Sequence, residues 1–198
     1  MKIFLIILGV IVAMALSLFF MYKGMYNRLV TLDEQTRQAF GQIETTLQRR
    51  NDLIPNLVST VKGYAAHESK VFQDIAEARA SVGKTTIDAS KIIGNKEMMT
   101  KYANAQSTLG GALQKLLMVQ ERYPDLKANQ QFLNLQHELA GTENRITVAR
   151  QRYNDAVGAV NKARRQLITS IVAAQLGIEE QAYFKAEEKA QTVPAVAF

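Results

Sequence analysis

The chain contains no cysteine and no tryptophan, and only three of its 198 residues are proline. The absence of cysteine excludes disulfides, thiolate metal sites and cysteine nucleophiles. The scarcity of proline in a chain that is 47% hydrophobic is typical of a helical protein. The net charge of +6 would suit either nucleic acid or anionic lipid, so the positions of the basic residues matter more than their number.

The sequence lacks the common motifs of zinc, di-iron, phosphate-binding and serine-hydrolase sites. His67 and His137 each precede a glutamate, but neither has the second histidine of the H-E-x-x-H zinc motif. Tyr64 and Asn134 stand where the Glu-x-x-His motif of di-iron bundles needs glutamate. There is no phosphate-binding glycine loop and no G-x-S-x-G motif. We therefore predict a protein that is not an enzyme and that binds no cofactor and no metal. The basic residues are not interleaved with aromatic residues, which argues against nucleic acid as a partner.

The longest uncharged run, residues 3–22, lies near the N-terminus between Lys2 and Lys23. A helix of about 20 apolar residues rises about 30 Å, which is the thickness of the hydrocarbon core of a bilayer. A cleaved signal peptide is the alternative, but this run is longer than the apolar region of a signal, and no A-x-A-like site follows it. We predict that residues 1–23 form an uncleaved anchor of a single-pass protein of the inner (plasma) membrane.

Small residues recur every four positions along this anchor, at Gly9, Ala13 and Ser17. Residues with this spacing share one face of a helix, and small side chains there let two helices approach closely. The pattern predicts self-association through the anchor and hence a homo-oligomer. The alternative is that small residues are simply common in membrane helices.

Apolar residues recur at steps of three and four through most of the remaining chain, and no segment alternates with the period of two that strands need. Such stripes are typical of helices that bury one face against other helices. We predict an all-α fold, with the N-terminal transmembrane helix followed by an antiparallel up-down four-helix bundle over residues 24–168. A C-terminal apolar segment and an extended tail complete the chain over residues 169–198.

The end of the first bundle helix is ambiguous. Asn51 or Asp52 can cap a new helix with Pro55 in its first turn, where proline removes no hydrogen bond. The alternative is one long helix kinked at Pro55, because the three-four spacing continues through Arg50. We favour a reversal at Asn51–Asp52, since it gives four helices of comparable length.

With that reversal, three basic segments and the apolar stretch that follows the last of them would lie beside the bilayer. The stretch from Leu167 to Leu176 either lies in the membrane interface or closes the end of the bundle core. Basic residues beside the membrane favour a cytoplasmic body, and the alternative is a periplasmic or extracellular body. The residues predicted to contact lipid are Lys23, Arg28, Lys84, Lys91, Lys96, Arg164 and Arg165.

A second set of polar residues falls close to the apolar stripes. Buried charges must be paired, so these residues either form ion pairs that fix the helix register or form a polar recognition patch. The set consists of Arg49, Arg50, Asp52, Glu121, Glu143, Arg145 and Arg150.

Three segments resemble the LemA family: the residues YNRLV at 26–30, RRNDLIPNLVSTVKGYAAHE at 49–68, and the run from 121 to 157 that begins ERYPDLKANQQF. The closing residues 182–198 fit as well. The resemblance implies a membrane-tethered helical bundle with an N-terminal anchor and no established catalytic residues. The chain departs from the family where a second Tyr-Asn pair and then Phe-Pro usually occur, because Val160-Asn161 keeps only the asparagine. No proline stops the last bundle helix, so the alternative to a separate interfacial helix is that this helix continues toward Leu176.

These observations are best interpreted as a membrane-anchored helical scaffold or adaptor without catalytic activity, which self-associates and contacts membrane lipids and an unidentified protein partner. One alternative is a lipid-binding or membrane-shaping protein. The other is an enzyme or metal protein whose site the motifs miss.

Overall fold

The computed structural model describes residues 2–85 and 89–185, apart from the side chain of Ser90. No strand occurs in these residues, and the predicted all-α class is confirmed. A 3-10 turn at Val119–Arg122 connects the fourth and fifth helices. The helices are α1 Lys2–Tyr64, α2 Ser69–Thr85, α3 Ala89–Ile93, α4 Lys96–Met118, α5 Pro124–Lys127, α6 Gln130–Arg164 and α7 Leu167–Gln175.

Helix α1 is a single unbroken helix of 63 residues. At 1.5 Å per residue it is about 95 Å long. The predicted reversal at Asn51–Asp52 is therefore wrong, and the continuous alternative is correct. The helix passes through Pro55, which is exposed on its outer side.

The reason for this continuity is an inward stripe that keeps its phase along the whole body. Its members recur at alternating steps of four and three residues, as in a heptad repeat. Arg50 occupies one of these inward positions and is buried, so a charged residue fills a place where an apolar residue is usual. The buried stripe consists of Thr36, Phe40, Ile43, Leu47, Arg50, Ile54, Leu57 and Val61.

The first reversal of the chain falls at residues 65–68, and helices α1, α2, α4 and α6 then alternate in direction. Asp74 of α2 meets Lys115 near the far end of α4 at 3.2 Å. Helix α6 begins beside the end of α1, where Asn129 donates to the Tyr64 hydroxyl at 2.9 Å. Its C-terminal half packs on the middle of α1, with the rings of Tyr153 and Phe40 5.6 Å apart. The up-down order is present, but α1 and α6 are much longer than α2.

Because α2 has only 17 residues, it returns only part of the way along α1. Ile92 and Ile93 of α3 pack in the same cluster as Phe40 and Ile43. Phe40 lies 17 residues beyond Lys23, or about 25 Å along the helix. The structure therefore places Lys84, Lys91 and Lys96 beside the middle of the body and away from the anchor, because the reversal that would have brought them to the membrane does not occur.

The alternative in which the last bundle helix continues toward Leu176 is wrong. Helix α6 ends at Arg164, and Gln166 adopts an extended conformation before α7 begins. Arginine side chains help to end α6, because the Arg165 Nε donates to the Asn161 carbonyl at 3.3 Å. Helix α7 then packs against α1 just beyond the anchor, with Val172 and Ala173 in one cluster with Leu29 and Ala163.

The first part of α1 is long and apolar enough to cross a membrane, and none of that stretch is buried inside the protein. Residues 2–24 are all exposed. Apolar side chains that have no protein neighbours fit a hydrocarbon environment, which agrees with a membrane anchor.

Prediction for Pro55. The variant Pro55→Ala should raise the free energy of unfolding by roughly 1–3 kcal/mol, because proline inside a helix removes a backbone hydrogen bond and clashes with the preceding turn. Denaturant titration of the detergent-solubilised protein, followed by circular dichroism, would measure the change.

Pro124 provides the matched control. It occupies the first turn of α5, where proline is favourable, so Pro124→Ala should bring no gain. A Pro55→Ala variant no more stable than Pro124→Ala would argue for a helix that starts near Pro55.

Candidate functional site

A polar layer interrupts the apolar core between its membrane-proximal cluster and its distal cluster. It consists of Arg50 on α1, Gln106 on α4 and Glu143 on α6. The Arg50 side chain is only 2% exposed. Its Nη1 donates to the Glu143 Oε1 at 3.1 Å, and its Nη2 donates to the side-chain oxygen of Gln106. The cluster containing Phe40 lies on one side of this layer, and the cluster containing Leu57 lies on the other.

The hydrogen bonds of this layer fix how α1, α4 and α6 are aligned along their axes. A buried guanidinium is costly unless its donors meet acceptors, and the acceptors here come from two other helices. Sliding α6 by one turn would move Glu143 about 5 Å and leave Arg50 without its carboxylate. Of the two interpretations offered for the polar set, the register-fixing ion pair describes Arg50 and Glu143.

Three other members of that set, Arg49, Asp52 and Arg145, line one groove on the bundle surface. Arg49 meets Glu138 on the outside of the bundle at 2.7 Å. Asp52 accepts from Gln48 one turn earlier on α1. Arg145 also lines a second groove between α1 and α6. Glu121 pairs with Lys127 at the distal end, and Arg150 lies over the Phe184 ring.

An extended segment, residues 178–185, returns along α6 after α7 and is here called the strap. Two asparagines of α6, seven residues apart and so on one face, hold it by its backbone. Asn161 accepts from the Gln181 amide at 3.0 Å and donates to the Gln181 carbonyl at 2.9 Å. Asn154 makes the same pair of bonds with Phe184, at 2.8 and 2.9 Å. Each side-chain amide thus replaces the partner that a neighbouring strand would supply.

Ala182, between these two clamps, is held by two further bonds. The Tyr153 hydroxyl donates to the Ala182 carbonyl at 2.8 Å, and the Ala182 amide donates to the Ile93 carbonyl of α3 at 2.8 Å. Burial raises the pKa of Tyr153, so this hydroxyl keeps the proton that it donates.

Side chains of the strap reach two more helices. Phe184 packs edge-on against Tyr102 of α4, with the ring centroids 6.3 Å apart. The Gln181 side-chain amide donates to Asp33 of α1 at 2.7 Å. The strap therefore ties α1, α3, α4 and α6 together over the membrane-proximal half of the body. Burial raises the pKa of the Tyr102 hydroxyl to about 12, which keeps this contact uncharged.

The strap explains residues whose role the sequence did not reveal. The family pattern contains Tyr-Asn twice, and this chain has Tyr153-Asn154 and then Val160-Asn161. The structure shows that the asparagines carry the clamp, while Val160 packs in the core. A spacing of seven between two asparagines was the available signal, but it did not identify the segment that they bind.

The four remaining lipid candidates lie at the membrane-proximal end of the described body. Lys23 and Arg28 stand on α1 directly after the anchor. Arg164 and Arg165 stand between α6 and α7, and the Arg164 Nε donates to the Ile178 carbonyl at 3.0 Å. The small residues Gly9, Ala13 and Ser17 are exposed within the anchor. No other part of the described chain comes within 4 Å of a Cβ built on Gly9, so that position is open to a second helix.

Within the described residues, no group of three or more histidine, cysteine, aspartate or glutamate side chains is placed to hold a metal ion. His67 lies in the turn between α1 and α2, and His137 lies on α6. The ordered polar contacts described above hold helices and the strap in place.

Prediction for the polar layer. Glu143→Ala should lower the free energy of unfolding by about 1–3 kcal/mol, because the buried Arg50 guanidinium loses its carboxylate. Glu138→Ala, on the same helix, removes a partner of Arg49 in an exposed pair and should cost less than about 1 kcal/mol. Denaturant titration of both variants compares them. Equal losses would show that the layer contributes no more than a surface ion pair.

Prediction for the strap. Asn154→Ala and Asn161→Ala each remove two bonds to the strap, so hydrogen exchange should accelerate at the amides of residues 181–184. Asn144→Ala is the matched control, since Asn144 is an exposed residue of the same helix outside the clamp. Hydrogen-exchange mass spectrometry measures the difference. Unchanged protection in both clamp variants would contradict the role assigned to the two asparagines.

Comparison with known proteins gives a consistent result. The LemA family model matches residues 39–198. Magnetosome protein MamQ 2 of Paramagnetospirillum magneticum is 25% identical over 186 residues, covering 86% of this chain and 68% of the relative. Magnetosome protein MamQ of Magnetospirillum gryphiswaldense is 24% identical over 190 residues, with the same coverage. Protein LemA of Metamycoplasma hominis is 24% identical over 170 residues, covering 86% of this chain and 73% of the relative. The family model accounts for well over half of the chain, which therefore belongs to the LemA family.

Proposed function

We propose that this protein is a membrane-anchored scaffold or adaptor without catalytic activity, whose body holds partners at a fixed distance and orientation from the bilayer. The observation that carries this proposal is the continuity of α1, which runs from the membrane-spanning stretch to the distal end of the body at Tyr64. A flexible linker between an anchor and a domain would let the domain move independently of the anchor. Here the helix itself is the connection, so tilting the anchor tilts the whole body.

The internal contacts support a structural role. The part of α1 beyond Lys23 spans about 60 Å, and α6 packs along much of that length. The polar layer fixes the alignment of α1, α4 and α6, and the strap fixes their membrane-proximal half. A body built in this way suits the presentation of surfaces better than the opening and closing of a site.

The names of the relatives are compatible with this proposal. Three of them are named as magnetosome proteins and one as protein LemA, and none of these names specifies a reaction. From these relatives we infer for this chain only a structural role at a membrane.

We place the body on the cytoplasmic side of the inner (plasma) membrane. Lys23 and Arg28 directly follow the spanning stretch, and Lys162, Arg164 and Arg165 end α6 at the same level. Basic residues close to a span favour the cytoplasmic side. The orientation can be measured by protease added to intact cells without an outer membrane, which should leave the body undigested.

The experiment that tests the scaffold places a photo-crosslinking residue singly at the exposed positions Met118, Val148 and Tyr183 in the full chain. In native membranes, at least one position should give a discrete adduct of reproducible mass. A flexible glycine-serine insert after Lys23 should weaken that adduct, because anchor and body lose their fixed geometry. An insert of about two turns of helix-forming sequence is the matched control: it shifts the body by about 11 Å but keeps the connection helical and its orientation nearly unchanged, so it should weaken the adduct less than the flexible insert does. Absence of adducts at every position, together with stoichiometric metal in the purified protein, would favour the enzyme or metal-protein alternative.

Prediction for self-association. Ala13→Ile should reduce dimerisation in micelles, because a branched side chain on the small-residue face keeps two helices apart. Ala15→Ile is the matched control, since Ala15 lies on the opposite face of the helix at 100° per residue. Energy transfer between labelled copies measures the association. Equal transfer in the two variants would show that Gly9, Ala13 and Ser17 do not form the contact.

A further inference from the structure

We propose that α7 lies in the membrane interface and gives the body a second attachment to the same bilayer as the anchor. The proposal rests on the proposed function only in requiring that residues 3–22 span the membrane. It assigns a lipid surface as the partner of one face of α7, formed by Leu167, Ile168 and Ile171.

The first observation is that α7 is apolar on two faces, only one of which is covered. Thr169, Val172 and Ala173 are buried against the body. Leu167, Ile168 and Ile171 share the other face, and they are 87%, 49% and 63% exposed. A helix that is apolar all round is normally enclosed by protein or lipid, because large exposed apolar side chains gain free energy when they leave water.

The second observation is the position of α7 relative to the anchor. Leu29, which packs with Val172 and Ala173, lies seven residues beyond Tyr22, or about 10 Å along α1. At the end of α7, the Tyr22 hydroxyl donates to the Gln175 side chain at 2.8 Å. Tyr22 is the last residue of the uncharged run, so α7 lies within about one helix diameter of the hydrocarbon core.

The surroundings of α7 are those of an interfacial helix. Tyr22 and Tyr26 stand on α1 beside it with their rings 6.3 Å apart, and tyrosine is enriched where hydrocarbon meets headgroups. Val30, one turn beyond Tyr26, is exposed at the same level. By contrast, Met118 and Val148, which are also exposed, stand singly on the described body far from the anchor.

Charge contributes less to this contact than the apolar face does. Lys23, Arg28 and Arg165 lie at this end, but Glu179 and Glu180 follow α7 on the exposed side of the chain. The Nε groups of Arg164 and Arg165 also donate hydrogen bonds to backbone carbonyls of the protein. The structure therefore supports the apolar part of the interfacial interpretation of residues 167–176 more strongly than its electrostatic part.

The local fold suits an in-plane helix that must then turn back to the body. Gly177 adopts a φ of +65°, a left-handed conformation that favours glycine. The Ile178 amide bonds to the Ala173 carbonyl and the Gly177 amide to the Ala174 carbonyl, which is the Schellman pattern that ends a helix. The chain thereby leaves α7 in the direction of the strap, which holds the end of α7 to α6.

The absence of tryptophan permits a direct test with single tryptophan probes in the full chain, reconstituted in vesicles of phosphatidylcholine and phosphatidylglycerol. Leu167→Trp and Ile171→Trp replace exposed residues and report on the proposed face. Ile11→Trp lies in the middle of the anchor and is the positive control. Met118→Trp, exposed at the distal end, is the negative control.

Lipids brominated close to the headgroup should quench most of the emission of Leu167→Trp and Ile171→Trp, and lipids brominated deep in the chain should quench them less. Ile11→Trp should show the opposite order, and Met118→Trp should not be quenched by either lipid.

If Ile11→Trp is quenched while both α7 probes behave like Met118→Trp, residues 3–22 still span the membrane and this proposal is wrong. Blue-shifted α7 probes that no brominated lipid quenches would mean that a second copy covers the face, which would also overturn it. If no brominated lipid quenches Ile11→Trp, residues 3–22 do not span the membrane, and the proposed function is wrong as well.

Discussion

The structure depends on one constraint, which is the unbroken phase of the buried stripe of α1 from Thr36 to Val61. Every other long element is positioned against this stripe or against a helix that packs on it. Burying a large apolar side chain such as Phe40 or Leu57 is worth roughly 1.5–3 kcal/mol. Two such residues offset the roughly 3 kcal/mol that proline costs inside a helix, so Pro55 does not break it. Since the same helix begins in the membrane, the packing of the body also sets how the body stands on the bilayer.

Arg50 gives this stripe its alignment. Apolar contacts alone are tolerant of a shift by one turn, because the neighbouring turn offers similar side chains. A buried guanidinium does not allow such a shift, since its N–H groups must donate to the oxygens of Gln106 and Glu143. The strap adds a second alignment device by bonding to four residues of α6 and to α1 and α3 at one position each. Both devices use polar groups to select one arrangement of helices that apolar burial makes stable.

Much of the fold follows from periodicity in the sequence, and its errors have physical reasons. The helical class and the anchor were predicted from local patterns, which need no knowledge of tertiary contacts. The reversal at Asn51 was wrong because Arg50, Asn51, Asp52 and Pro55 together resemble a helix start, while the tertiary role of Arg50 is invisible in one sequence. The end of α6 was placed at residue 168 and not at Arg164, because side chains and the strap, and not a proline, terminate that helix. Lys84, Lys91 and Lys96 were misplaced as a consequence of the first error, and the strap was missed because asparagine clamps bind backbone atoms, which carry no sequence signature.

The most direct test of the account measures the length of α1 beyond the membrane. Spin labels at Arg28 and Ser59, both exposed, are separated by 31 residues of helix, so the unbroken α1 predicts a single distance of about 46 Å plus or minus the label arms. The measurement should be made on the full chain in lipid nanodiscs by pulsed electron resonance. A reversal at Asn51 would bring Ser59 back beside the middle of α1 and reduce the distance to about half of this value. That shorter distance would contradict the continuous rod and remove the basis for a body held rigidly on its anchor.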